Sequence, residues 1–213
     1  MKKILNNWYF YGLVPAAVAL AVLIVRWSAM PVLSRVSLIN FIGLLLHQAE
    51  EYGWPGGAPC FMNKYMRGGD ERYPLNQLSA MIVNVTLVYV CYLLPVFLPD
   101  VMWLGLAPIL FGCVFQVLLH GVVFMVKFHH FYNSGIAAVL CIHVPCGIYY
   151  IWYAVSHSML SGSDWLFGVL YLLGMIAFTG LAGQVVFSSR DSRFPFNERE
   201  IAQGEKFARR MGV

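Results

Sequence analysis

The chain has 213 residues, enough for one or two water-soluble domains, yet 60% of them are hydrophobic and only 11% are charged, which excludes an ordinary soluble protein. The formal net charge of +4 calls for no nucleic acid, because most of the Lys and Arg flank apolar stretches and suit anionic lipid headgroups there. Length, composition and charge together describe a membrane chain with lipid as its surroundings.

In chain order, the first apolar stretch, Trp8 to Val25, follows Lys2 and Lys3. It is longer than the ~7 to 15 residue core of a secretory signal and no polar domain follows it, so it reads as a transmembrane helix that is retained. Five more stretches approach the ~20 apolar residues needed to cross a bilayer. They run from Leu33 to Tyr52, Leu75 to Leu98, Val101 to Phe128, Ser134 to Ser156 and Asp164 to Phe187. The predicted fold is an all-α polytopic membrane bundle of about six helices. Residues 1–187 make one membrane domain, and the mixed-charge tail 188–213 is an amphipathic or disordered end. Pro15, Pro95, Pro108 and Pro145 lie inside spans, where membrane helices tolerate kinks.

Loop charge sets the orientation. With the N-terminus cytoplasmic, six spans leave only Arg26 and Arg35 of the 14 Lys and Arg on the outer side, both able to snorkel from helix ends. Both termini are therefore expected in the cytoplasm, in a multi-pass protein of the cell membrane, the inner membrane of a bacterium. Trp8, Trp27, Trp54, Trp103, Trp152 and Trp165 fall near span ends, as an aromatic belt does. Of the five cysteines, Cys91, Cys113, Cys141 and Cys146 lie in spans and read as small apolar packing residues. The run CIHVPC around His143 lacks metal-type spacing, and His143, close to Pro145, is expected to bond a backbone carbonyl freed by the kink.

This topology gives the polar residues a depth. His47, Glu50 and Glu51 end the second span at i, i+3 and i+4, so all three are expected on one helix face. Asn84 of the third span, and Gln116 and His120 four apart on the fourth, arrive at the same inner level, followed by Tyr132 and Asn133 in the next link. His129 and His130 read as a solvated turn, His157 as an interfacial residue and Asn76 as a helix cap. An acidic residue at mid-helix costs roughly 2.5 to 3.5 kcal/mol to insert, so paired glutamates need partners. The expected reactive centre is His47, Glu50, Glu51 and His120, with Asn84, Gln116, Tyr132 and Asn133 in support. In its metal version His47, Glu51 and His120 ligate a divalent ion (Zn, Mn or Fe) and Glu50 is the base. In the metal-free version one glutamate, held neutral by its neighbour, donates a proton.

The string His47-Gln48-Ala49-Glu50-Glu51 resembles the signature of the HXXEE family of bacterial membrane proteins. So do Glu50 to Gly57, Met62-Asn63, the segment around Asn84, the Gln116 to His120 pair and the Tyr132-Asn133-Ser134-Gly135 turn, over roughly residues 40–185. The resemblance implies a small multi-pass protein and carries no particular reaction. Other membrane chemistries fit less well. Ferritin-like di-iron centres need more carboxylates, desaturases need more histidines in other spacings, and there is no HExxH. The Glu pair and His120 faintly resemble glutamate-dependent CAAX-type proteases, and the His and Glu pocket is similar in residue type to sterol isomerases. The sequence thus leans toward an enzyme acting on a lipid or amphipathic small molecule that enters from the inner leaflet. Proton or cation transport by the same cluster is the alternative, weakened by the lack of related halves.

Overall fold

The computed structural model describes residues 2–213 and is helical, with no strand among the described residues. Six helices are long and apolar enough to cross a membrane: α1 (Trp8–Ala29), α2 (Val32–Gly53), α3 (Gln77–Phe97), α4 (Met102–Phe128), α5 (Ile136–Ser156) and α6 (Gly162–Val186). A seventh, α7 (Glu198–Arg210), follows them. Each span falls within a turn or so of its sequence estimate, and the differences have local causes. Asn76 accepts hydrogen bonds from the Leu78 and Ser79 amides while Ser79 Oγ accepts from the Asn76 amide, so α3 starts at Gln77 rather than Leu75. Ser161 and Asp164 form the same reciprocal cap and start α6 at Gly162.

α2 is the hub. Its apolar window is 67% buried against 22% for α6, and it packs on α1, α3, α4 and α5. Phe41, Leu44 and Leu45 of α2 meet Leu87 and Val88 of α3 and Phe111 of α4 in the main core. The outward faces, such as Val14, Val18, Val22 and Val25 on α1, stay exposed and apolar, as lipid-facing surfaces must.

The helices are not uniform. Several turns widen to i→i+5 hydrogen bonding, among them Ala49–Gly53, Leu87–Tyr92, Val117–Val123 and Val139–His143. Two of these contain the residue four before a proline, Cys91 for Pro95 and Cys141 for Pro145, where the ring would strike the carbonyl of a regular turn.

The two ends of the bundle differ. At one, the starts of α1, α3 and α5 and the ends of α2, α4 and α6 are tied together by long-range hydrogen bonds. Ser134 Oγ donates to the Gly56 carbonyl at 2.9 Å, and Asn76 Nδ2 to the Phe187 carbonyl at 2.8 Å. Asn63, fully buried, holds the loop before α3 by donating to the Glu71 and Leu75 carbonyls and accepting from the Leu75 amide. α7 docks on this end. Phe207 meets Phe61, Gly204 lies against Cys60, and Gln203 Nε2 donates to the Gly53 carbonyl at 2.8 Å. The tail is therefore an amphipathic helix held against the bundle. At the other end, short connections join α1 to α2, α3 to α4 and α5 to α6. Arg35 does not merely snorkel there: its guanidinium sits 4.8 Å from the Trp27 ring centre. Trp8 departs from the aromatic belt, being buried edge-on to Tyr52 at 4.9 Å beneath the tied loops.

Candidate metal centre

α2 and α4 bring His47, Glu51 and His120 together at the tied end. One ligand atom of each lies within 4.8 Å of the others, and the imidazoles are almost fully buried. His120 Nε2 stands 3.3 Å from Glu51 Oε1 and His47 Nε2 stands 3.6 Å from Glu51 Oε2. The imidazoles meet edge to face, centroids 4.9 Å apart.

The far nitrogens define the near ones. His47 Nδ1 is 2.9 Å from the Gly135 carbonyl, which only accepts, so Nδ1 carries the proton. Asn133 donates Nδ2 to the His120 carbonyl at 2.6 Å, which turns its Oδ1 toward His120 Nδ1, also at 2.6 Å. That ring too must donate from Nδ1. With both rings neutral, both Nε2 atoms present lone pairs to a carboxylate that likewise accepts, and both are buried without a hydrogen-bond partner. Three acceptors facing one another need a cation or a shared proton between them. Two imidazole nitrogens with one carboxylate is a donor set that suits Zn, Mn or Fe and leaves coordination positions open.

Gly135 forms the floor. A Cβ there would lie 2.7 Å from both His47 Cε1 and His120 Cε1 and 3.1 Å from Glu51 Cγ, and its φ of +108° disfavours any side chain.

Glu50 turns away from this group, although the motif spacing puts it on the same face. It accepts from the Ala137 and Ala138 amides at 3.3 and 3.1 Å and from Tyr132 Oη at 3.3 Å. The carboxylate thus covers the open amides at the start of α5 and complements its helix dipole. The widened turn Ala49–Gly53 departs from regular helical spacing at these two glutamates.

Asn84 makes no hydrogen bond to the cluster. It accepts from Gln48 Nε2 at 3.2 Å and donates to Tyr52 Oη at 3.1 Å, locking α3 to α2. Gln116, one turn before His120, is buried with its Oε1 unpartnered, and with Glu51 and Asn84 it lines a cavity of about 260 Å³ between α3, α4 and α6. Two larger hollows, of about 580 and 450 Å³, open along α1 and hold none of the cluster residues.

His143 departs from expectation. Its Nδ1 lies 2.6 Å from Asn40 Oδ1, not from a backbone carbonyl; Asn40 Nδ2 instead takes the Pro108 carbonyl at 3.3 Å. Its ring lies 6.1 Å from that of His47, extending the polar group deeper into the bundle. Asn40 is seven residues before His47 on the same helix face, a spacing that could have revealed it. Gly135 carried no signal beyond its place in the Tyr132 to Gly135 turn. His129 is exposed at the end of α4, as a solvated turn requires.

Comparison with curated proteins and with solved structures returns no match. The family model described as "Protein of unknown function with HXXEE motif" matches residues 38–150, just over half of the chain, and spans Asn40, the His47-x-x-Glu50-Glu51 motif, His120, Gly135 and His143. The chain belongs to that HXXEE family.

Proposed function

We propose that this protein is a metal-dependent membrane enzyme acting on a lipid or amphipathic small molecule, with a divalent ion (Zn, Mn or Fe) held by His47, Glu51 and His120. The observation that carries the reading is the pair of buried, unpartnered Nε2 atoms aimed at Glu51 while each Nδ1 is engaged elsewhere. Such an ion supplies Lewis-acid polarisation and activation of a bound water.

The remaining roles belong to the chain. Asn133 and the Gly135 carbonyl fix the orientation of the two rings and keep their protons on Nδ1. Glu50 acts as a positioning residue, anchoring the start of α5 and with it Gly135. In this reading the Gln116 carboxamide, on the cavity wall, hydrogen-bonds a substrate whose apolar body the other walls admit. In this reading both termini are cytoplasmic and the cavity opens from the inner leaflet of a cell membrane.

Metal content of the purified protein, measured by plasma mass spectrometry, tests the proposal. About one equivalent is expected in the native chain, none in folded His47→Ala or His120→Ala, and an affinity lowered about 10 to 100-fold in Asn133→Ala. A folded native protein that takes up no metal on supplementation would sink the ligand assignment. The same acceptors would then hold a shared proton, and the function would move to metal-free acid and base chemistry or proton coupling.

A further inference from the structure

The loop before α3 carries three cations, and they are treated differently. Lys64 pairs with Glu71 and Arg72 with Glu198. Arg67 has no carboxylate within ion-pair distance among the described residues; it donates instead to Gln184 Oε1, a neutral acceptor at the end of α6. Both side chains line the cavity that reaches Glu51 and Gln116. A guanidinium has five N–H donors, so one amide leaves most of them free. Arg67 is exposed, at the rim of an apolar cavity, and a cation there with no carboxylate partner favours an anion.

The rest of the cavity fits one kind of molecule. Leu87, Phe115 and Ile176 are among its apolar walls, and Gln116, more than nine-tenths buried and with its Oε1 unpartnered, lines it together with Glu51. About 260 Å³ lies just under the ~300 to 1,000 Å³ of drug-sized pockets, too small to enclose a diacyl lipid. We propose that the cavity binds a single-chain anionic amphiphile, its carboxylate or phosphate on Arg67, its chain on the apolar walls and a hydrogen-bonding group at Gln116. This deepens, and rests on, the reading of the triad cavity as a substrate site.

The test uses the full chain in nanodiscs with radiolabelled ω-hydroxydecanoate as probe and decanediol as its uncharged counterpart. The acid should bind about tenfold or more tightly than the diol. Arg67→Gln should abolish that preference, and Arg67→Lys should retain part of it. Gly180→Leu, whose new side chain starts in open space on the cavity wall, should weaken both ligands. Equal binding of acid and diol, or a preference that survives Arg67→Gln, overturns the proposal. Competition by decanoate and by decyl phosphate tells a carboxylate head from a phosphate one; displacement by either supports the proposal and displacement by neither refutes it. Metal content read on the same samples separates the two ideas. A charge preference lost with Arg67 in a chain that takes up no metal removes the metalloenzyme and leaves this inference standing. A metal-replete chain without the preference does the reverse.

Discussion

The two ends of the bundle are built from the same six helices under different constraints. At the plain end the spans join by short connections, and the buried polar side chains there are small, such as Ser34 and Ser37. At the tied end lie Asn63, Asn76, Gln77, Asn133, Ser134 and Glu200, all buried, with the His47, Glu51 and His120 cluster just beneath them. Irregular backbone and buried polar groups survive at membrane depth only where protein covers them. Loop 54–76, link 129–135 and α7 provide that cover. One end of a small helical protein can therefore be left to lipid while the other holds a desolvated ionisable site.

Paired glycine substitutions sharpen the contrast most. Gly135→Ala, at the tied end, forces a Cβ to 2.7 Å from two imidazole carbons at a φ of +108°. It should cost about 2 to 4 kcal/mol and displace the cluster. Gly162→Ala, at the plain end, meets nothing within 4 Å and should change stability by less than about 0.5 kcal/mol. Thermal unfolding of both variants in one detergent is the check; comparable losses would dissolve the distinction.

A second, smaller effect is a pH dependence confined to the tied end. Burial raises the Glu200 carboxyl above its ordinary 4.5, against lowering contributions from the Asn197 amide, Gln77 and Arg199. The docked helix thus binds the proton more tightly than the undocked one. Its protonation-linked stabilisation is complete below about pH 4.5 and is lost as pH rises through the raised value. Spin-label distances from α7 to the Ala58–Phe61 turn should lengthen over that rise. Glu200→Gln, which keeps an acceptor for Gln77, should flatten the curve; an unchanged curve would move the titration elsewhere.

The smallest expected effect is at the plain end. Arg35→Met removes the stacking on Trp27 and should cost about 0.5 to 1 kcal/mol in thermal unfolding, with metal content untouched. Loss of metal in this variant would show that the two ends are coupled.

What the sequence made legible follows the same division. Apolar run length located all six spans, because a bilayer dictates it. Within the site, His47 and Glu51 were readable from their i, i+4 spacing, and His120 and Asn133 from shared depth. Glu50 and His143 were misjudged because their partners come from other elements, the Ala137 and Ala138 amides for Glu50 and Asn40 for His143, which spacing along one helix does not show. Asn84, expected to orient the cluster, bonds Gln48 and Tyr52 instead, since depth says nothing about which neighbour a face meets. The docking of α7 was hidden by its charge: Gly204, Phe207 and Ala208 make a narrow apolar stripe on an otherwise polar helix.

The contact between Gln203 and the Gly53 carbonyl joins residues 150 positions apart. A ribosome delivers Gly53 long before Gln203, and chains assemble as they emerge. All six spans are therefore synthesised before α7 exists, and the end that carries the cluster stays unfinished until it does. Until then, the backbone that follows α2 has no cover from the helix that later lies on it.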